Sequence, residues 1–346
     1  MSLGSRKQLI LQAIIEDYIN TAEPVGSRTV SKKYLKDISP ATIRNEMADL
    51  EEMGYIEQPH TSAGRVPSDK GYRLYVDRLM EQKTIDWHDY EFIRKEFMDT
   101  VGEIDRLIKH ASKLLSAMTK YASIAMAPQF KRTCLKHLQL IKVDSHNILA
   151  VIVTDAGIIK NSVIRTDSDI EVDALEKISN MLNQKLIGLS IEELVNMDIT
   201  KINSGINNNE DYKQVLTKVL PELLQALRYS ERAEIYSDGA ANLLDLPEYS
   251  DVQKAKDFFS ILDKNDILYE ILKDVSEKTT VTIGKENKIH QLKDCSIITA
   301  TYSYNGKVIG SIGVLGPTRM NYSKVISIVD CLTQNLNDIL TKIIKT

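Results

Sequence analysis

Ser39-Pro40-Ala41-Thr42-Ile43-Arg44-Asn45-Glu46-Met47-Ala48-Asp49-Leu50 is the stretch whose reading decides the fold. Ser39 offers a hydroxyl as N-cap, and Pro40 takes the first helical position, where a missing N–H is harmless. The spacing predicts a helix over 41–53, stopped by Gly54. Ile43, Met47 and Leu50 recur at i, i+4 and i+7 and form one apolar face. Ala41, Thr42, Arg44, Asn45 and Ala48 then point outward. The first acid is Glu46, although carboxylates usually favour the opening turn. An acid-free helix start can meet a phosphate backbone with its amides and dipole. Arg44 suits the O6/N7 edge of guanine and Asn45 the N6/N7 edge of adenine, while small Ala41 and Ala48 let the helix lie deep in a major groove.

Upstream, Leu9, Ile10, Ala13, Ile14 and Tyr18 trace an apolar helical stripe that ends near Asn20. Glu23-Pro24-Val25-Gly26 breaks the chain, and Ser27 reads as the N-cap of a short helix over 28–34. On it Arg28 and Lys32 are i,i+4 neighbours, with Lys36 continuing the row. Residues 24–45 hold five bases (Arg28, Lys32, Lys33, Lys36, Arg44) against Asp37 alone, whereas 46–57 hold five acids and no Lys or Arg. Such segregation implies two opposed surfaces.

Downstream, residues 55–58 read as a strand, 61–64 as a turn and Arg65-Val66 as the return, with Pro67 ending the hairpin. Its tip carries His60, Thr61, Ser62 and Arg65, suited to phosphate or a narrow minor groove. Ser68-Asp69 caps a further helix with Tyr72, Tyr75, Val76 and Leu79. Three helices followed by a hairpin predict a winged helix-turn-helix over residues 1–80 that binds double-stranded DNA. Any one feature alone fits a plain three-helix core or a solvated charged face. Their order argues for the sharper reading.

At 346 residues the chain exceeds one ordinary core, so two or three domains are expected. Its 43% hydrophobic and 27% charged content is that of a soluble globular protein. No apolar run approaches the roughly 18 residues of a membrane span. The N-terminus lacks a signal-peptide pattern, so a cytoplasmic protein with no membrane partner is expected. Cys134, Cys295 and Cys331 lie too far apart for a disulfide framework or a zinc site. The net charge of −4 confines any affinity for nucleic acid to a local patch. One such patch makes few base contacts, which favours a homodimer.

Beyond the first module, Phe97, Val101, Ile104, Ile108, Ala111, Leu115 and Met118 are spaced for one helix, suited equally to a coiled-coil seam or to a sheet. Residues 138–143, 148–153 and 158–164 read as an antiparallel meander, followed by helices over 172–186 and 191–197. Helices near 212–229, 251–263 and 267–276 precede strands over 295–304 and 307–315, which Asn305-Gly306 joins as a type I′ hairpin. A last helix carries Tyr322 to Ile343. Strands flanking a helical block suggest one sheet interrupted by an insertion. Gly310, Gly313 and Gly316 form GxxGxxG, but inside a strand, where it is no dinucleotide fingerprint. Six scattered histidines show no ligand spacing. No enzyme, cofactor or metal is expected, and Met126, Phe258 and Phe259 read as core or interface.

The runs 23–28 (EPVGSR), 39–50 (SPATIRNEMADL) and 58–65 (QPHTSAGR) closely resemble the bacterial heat-inducible transcription repressor HrcA family, and 316–322 (GPTRMNY) is similar to it too. The resemblance implies a homodimeric repressor of chaperone operons that binds an inverted repeat called CIRCE upstream of groE and dnaK. It implies that the GroEL chaperonin keeps the repressor active. The implied fold class is α+β multidomain: a winged helix-turn-helix (1–80), a GAF-like antiparallel-sheet domain (85–195 and 286–346) and a mainly helical dimerising insert (196–285). The expected DNA-binding set is Arg28, Lys32, Lys33, Ser39, Ala41, Thr42, Arg44, Asn45, His60, Thr61, Ser62 and Arg65. The alternative is a metabolite-responsive repressor with a small ligand in the GAF-like domain. A third reading is a scaffold that uses the same helices for protein contacts.

Overall fold

The computed structural model describes residues 3–60, 63–81, 83–98, 104–128, 133–155, 159–166, 169–197, 219, 221, 234–273, 275, 279–304 and 306–345. Helices α1 (Ser5–Thr21), α2 (Ser27–Lys33) and α3 (Pro40–Glu52) pack around buried Ile10, Ile14, Val30, Ile43, Met47 and Leu50. Ser39 accepts a hydrogen bond from the Thr42 N–H at 3.1 Å. Gly54 ends α3 at φ +76°, a conformation that glycine adopts without a Cβ penalty. Two expectations shift here. Leu9 is 49% exposed, because the buried arc of α1 runs through Ile10, Leu11, Ala13, Ile14 and Ile15. Ser27 is the first residue of α2, not its cap; Gly26 takes the extended cap position and Ser27 is buried.

Strands β1 (Ile56–Glu57) and β2 (Val66–Pro67) pair antiparallel, with Ile56 opposite Pro67. Val25 bridges to Arg65 through two backbone hydrogen bonds of 2.8 and 2.9 Å. The break between α1 and α2 thus adds a single bridging residue to the hairpin. Helix α4 (Asp69–Leu74) follows, capped by the Ser68 hydroxyl, and continues as a π-helical turn, Tyr75–Leu79.

The positions expected on one helix divide between two that pack on each other, with His110 meeting Glu96 at 3.1 Å. Phe97 belongs to α5 (Trp87–Met98), the later positions to α6 (Ile104–Thr119), and Val101 lies outside the described residues. Helix α6 packs on strand β3 (Ala122–Met126) and on the C-terminal helix (Tyr322–Lys345), so the sheet, not a coiled coil, takes its stripe.

That sheet has five antiparallel strands in the order β7-β3-β10-β9-β8, where β7 is Ile235–Asp238, β8 Thr280–Ile283, β9 Cys295–Tyr304 and β10 Lys307–Pro317. Tyr304 opposite Lys307, with Gly306 at φ +74°, closes the expected two-residue hairpin. Ile298, Ala300 and Tyr302 pack in the same core as α6 and the C-terminal helix. Cys295, Ile297 and Ile124 pack with Phe258 and Leu268 of two helices, Val252–Leu262 and Asn265–Lys273. Both faces are covered. A Cβ on Gly310 would lie 2.2 Å from the Tyr302 hydroxyl, so this glycine serves packing.

The meander is a separate sheet. Among the described residues β4 (Leu135–Lys142), β5 (Asn147–Thr154) and β6 (Ile159–Arg165) pair only with one another, in that order. The single interrupted sheet expected from sequence is therefore corrected. The chain leaves the five-stranded sheet after Met126 and rejoins it at Ile235, not over 196–285. The detour carries strands, while the helices expected near 251–263 and 267–276 cover the five-stranded sheet instead. The reason is alternation: β5 buries every second residue (Ile148, Ala150, Ile152) in the core it shares with α7 (Val172–Leu186), the pattern of a sheet covered on one side. The edge of β4 is closed by α7, because Asn183 exchanges two 2.8 Å hydrogen bonds with Leu138 and Ser179 accepts from the Leu140 N–H. Of the helix expected near 212–229, only Val219 and Pro221 fall among the described residues.

The N-terminal unit is fastened to this body. Arg73 donates to Glu286 at 2.8 Å and to the Val281 carbonyl at 2.6 Å. The Lys285 N–H donates to Asp69 at 3.1 Å. Arg319, from the GPTRMNY run, donates to the Ile19 carbonyl at 2.7 Å and to Glu248. Among the described residues no helix is long and apolar enough to cross a membrane, and no metal-binding cluster occurs.

Candidate nucleic-acid interface

Ser39 and Pro40 fix where α3 begins, and the buried face of Ile43, Met47 and Leu50 fixes its rotation. Ala41, Arg44, Asn45 and Ala48 are consequently exposed and Thr42 half-buried. The Thr42 hydroxyl lies 2.9 Å from that of Ser39, so both polar side chains serve the cap as well as the surface. On α2, Arg28 and Lys32 are exposed, and Lys36 is exposed just beyond it. Among the described residues, Arg28, Lys32, Lys36 and Arg44 form no ion pair.

Other charges are engaged internally. Lys33 points back to α1, where its ammonium meets buried Asp17 at 2.6 Å; that hydrogen bond holds the lysine above its ordinary pKa. Asp17 also accepts from the Tyr34 hydroxyl at 3.0 Å. Three of the four acids on α3 are met by neighbouring cations, while Glu52 is exposed: Lys7 reaches Glu46 at 2.7 Å and Asp49 at 2.9 Å, and Arg65 reaches Glu51 at 2.7 Å. The bonds from Glu46 and Asp49 likewise raise the Lys7 pKa. Hence the start of α3, with α2 beside it, presents unpaired positive groups, and its later turns present acids of which Glu46, Asp49 and Glu51 are paired.

A depression of about 390 Å³ opens between α2, α3 and the hairpin, lined by Arg28, Arg44, Gln58, Gly64 and Arg65 among others. His60 is exposed beside it, and Thr61 and Ser62 lie outside the described residues. Of the twelve positions named from sequence, the structure gathers Arg28, Arg44 and Arg65 around this depression and turns Lys33 away from it. Gly64 and Gln58 were not singled out from sequence. Gly64 is recognisable only from three dimensions: a Cβ there would sit 2.6 Å from the backbone of Pro24 and Val25. Gln58 closes the hairpin loop by donating to the Ala63 carbonyl at 3.1 Å.

A family model described as the HrcA protein C-terminal domain matches residues 105–326. A Clostridium acetobutylicum protein named heat-inducible transcription repressor HrcA is 46% identical over 343 residues, covering 99% of each chain. The chain belongs to the HrcA family of heat-inducible transcription repressors. An HrcA from Alkaliphilus metalliredigens is 43% identical over 98% of both chains. A crystal structure of a hypothetical protein superposes with a TM-score of 0.65 at 24% identity, covering 99% of this chain and 100% of that one, and shares its mixed α/β fold. In this HrcA chain the family model spans both sheets and the start of the C-terminal helix, and the depression lies in the N-terminal unit outside it.

Proposed function

We propose that residues 1–80 form a winged helix-turn-helix that binds the CIRCE inverted repeat, within a homodimer that represses chaperone operons of the groE and dnaK type and that the GroEL chaperonin keeps active. The observation carrying this reading is the polarity of α3: Arg44 and Asn45 are open at its acid-free end, while Glu46, Asp49 and Glu51 are held by cations. Helix α2 would cross the phosphate backbone with Arg28, Lys32 and Lys36, and α3 would enter the major groove, with the β1–β2 hairpin as wing. His60, Thr61 and Ser62 would reach the neighbouring strand. The five-stranded unit is read as the GAF-like domain and the unit with the meander as its dimerising insert. Such a repressor works in the cytoplasm, where its operator is.

The face of the meander turned away from α7 supports the dimer. Ile141, Val163 and Ile159 are 44%, 60% and 64% exposed, and half-buried Leu149, Val151 and Val153 lie between them. An open sheet face with this many exposed aliphatic side chains, interspersed with His137, Gln139 and Asn161, suits self-association. A second copy of the same face, related by a two-fold axis, would cover it.

The test is fluorescence anisotropy with a CIRCE duplex and a scrambled duplex across a salt series. The matched duplex is expected to bind about 10³-fold more tightly or better; equal affinity would refute sequence-specific recognition. Repeating the titration after mild heating, with and without GroEL, tests the chaperonin. Recovery independent of GroEL would remove that part of the proposal. A second reading has its own observation: a cleft of about 540 Å³, lined by Arg73, Asp77, Thr279, Asp330 and Asn337 among others, lies between the N-terminal unit and the C-terminal helix. It favours a metabolite-responsive repressor. A thermal-shift screen without GroEL checks it, by looking for a compound that both stabilises the protein and alters operator affinity.

A further inference from the structure

Arg65 is held at both its main chain and its side chain. Its N–H donates to the Val25 carbonyl at 2.9 Å, and its own carbonyl accepts from the Val25 N–H at 2.8 Å. The guanidinium reaches the other way, to the last turn of α3, where Nε and Nη2 both donate to one oxygen of Glu51, at 2.9 and 2.7 Å. The Arg65 side chain is 20% exposed and that of Glu51 34%, so the pair is largely sheltered from screening. The two strands of the hairpin are two residues long each, too short to hold an angle by their own ladder. Gly64 completes the seat by lying flat against the Pro24–Val25 backbone.

We propose that Glu51 and Arg65 form a brace that sets the hairpin at a fixed distance from α3, making Glu51 a positioning residue for DNA recognition and giving Arg65 its role through placement rather than through contact with phosphate. This rests on the reading of residues 1–80 as a DNA-binding module. A phosphate seated on Arg65 would also face the Glu51 carboxylate within a few ångströms, and like charges at that range repel. The unpaired guanidiniums of Arg28 and Arg44, lining the same depression, carry no such penalty.

The two roles predict opposite signs for one substitution. If Arg65 gripped phosphate, Glu51→Gln would release it, remove a nearby negative charge and tighten binding. As a brace, Glu51→Gln loosens the hairpin: affinity for the matched CIRCE duplex falls about two- to fivefold, the scale of one partly sheltered ion pair. Affinity for scrambled duplex and the salt dependence stay as in the parent protein. The exchanged pair, Glu51→Arg with Arg65→Glu, restores the attraction with reversed polarity and recovers the loss. Tighter binding by Glu51→Gln, or an exchanged pair no better than the single variants, overturns the brace.

A DNA-free arm keeps the two ideas apart. Hydrogen exchange of the full-length protein, followed over residues 22–28 and 60–67, should accelerate in Glu51→Gln and return to the parent rate in the exchanged pair. Unchanged exchange overturns the brace whatever happens with DNA. If the parent protein binds no duplex at all, the DNA-binding reading falls while this arm still decides the brace.

Discussion

In the five-stranded sheet, β9 turns Ile297 toward one helical layer and Ile298 toward another, whereas in the meander β5 buries Ile148, Ala150 and Ile152 with α7 and leaves Leu149, Val151 and Val153 half open. The first sheet is completed by its own chain. The second buries one face only, and its other face, where Ile141, Val163 and Ile159 stand among His137, Gln139 and Asn161, has no cover among the described residues. The lesson is that completeness of a sheet can be judged from which faces carry apolar side chains. A strand with large apolar residues on both faces calls for two layers, and a protein that supplies one layer leaves room for a copy of itself.

The harshest way to break this contrast is Tyr302→Ala in the closed sheet. Tyr302 is fully buried and its hydroxyl donates to the Met126 carbonyl at 2.6 Å. Removing it should cost about 3–5 kcal/mol, read by chemical denaturation. Val163→Asp on the open face should instead leave the fold intact, with helix content unchanged, and halve the mass measured by light scattering. A dimer that persists would mean that this face is not the interface. Next in size, Arg44→Ala should cost about 1–3 kcal/mol at the matched operator while mass and stability stay as they were. Combined with Val163→Asp, it shows how much of the recognition depends on two copies. Lys32→Ala should weaken all duplexes alike and lower the salt slope by about one.

The smallest effect is chemical. Cys295 sits in the closed sheet, where burial pushes its thiol up to about 11, while Cys134 lies half-buried at the start of the meander. The thiolate is the reactive form, so a raised pKa leaves little of it at about pH 8. Alkylation at that pH should label Cys134 ahead of Cys295, with Cys295 gaining rate only as the pH nears its own value. Equal rates measured by mass spectrometry would show that the five-stranded sheet opens more readily than its packing implies.

What was legible from sequence was local. The cap at Ser39, the buried face of α3 and the stop at Gly54 depend on residues within a few turns of one another, and each stands where its spacing put it. What was not legible depends on partners far along the chain. Nothing near Lys33 announces that Asp17, sixteen residues earlier on another helix, will take its charge. The pairing of Arg65 with Glu51 is hidden in the same way. The meander itself stands where it is expected, but its separation from the other sheet is hidden, because 148–153 is an unbroken apolar run that alternates only in burial, while 295–302 is interrupted by Ser296, Thr299 and Thr301 and yet is buried on both faces. The order of strands within the closed sheet likewise depends on contacts across more than a hundred residues.

The bond from Arg319 to the end of α1 reaches across 300 positions and carries one more implication. Together with Arg73 and Asp69 it removes slack between the N-terminal unit, proposed to read the operator, and the rest of the molecule. In a symmetric pair built this way, the two reading heads would keep a set phase on the double helix. Each base pair added between the half-sites rotates one of them by about 34° around the DNA axis. A tethered head could swing to follow; a bolted one could not. Operators with one extra central base pair should therefore lose binding abruptly, and a full added turn should restore the phase but not the reach.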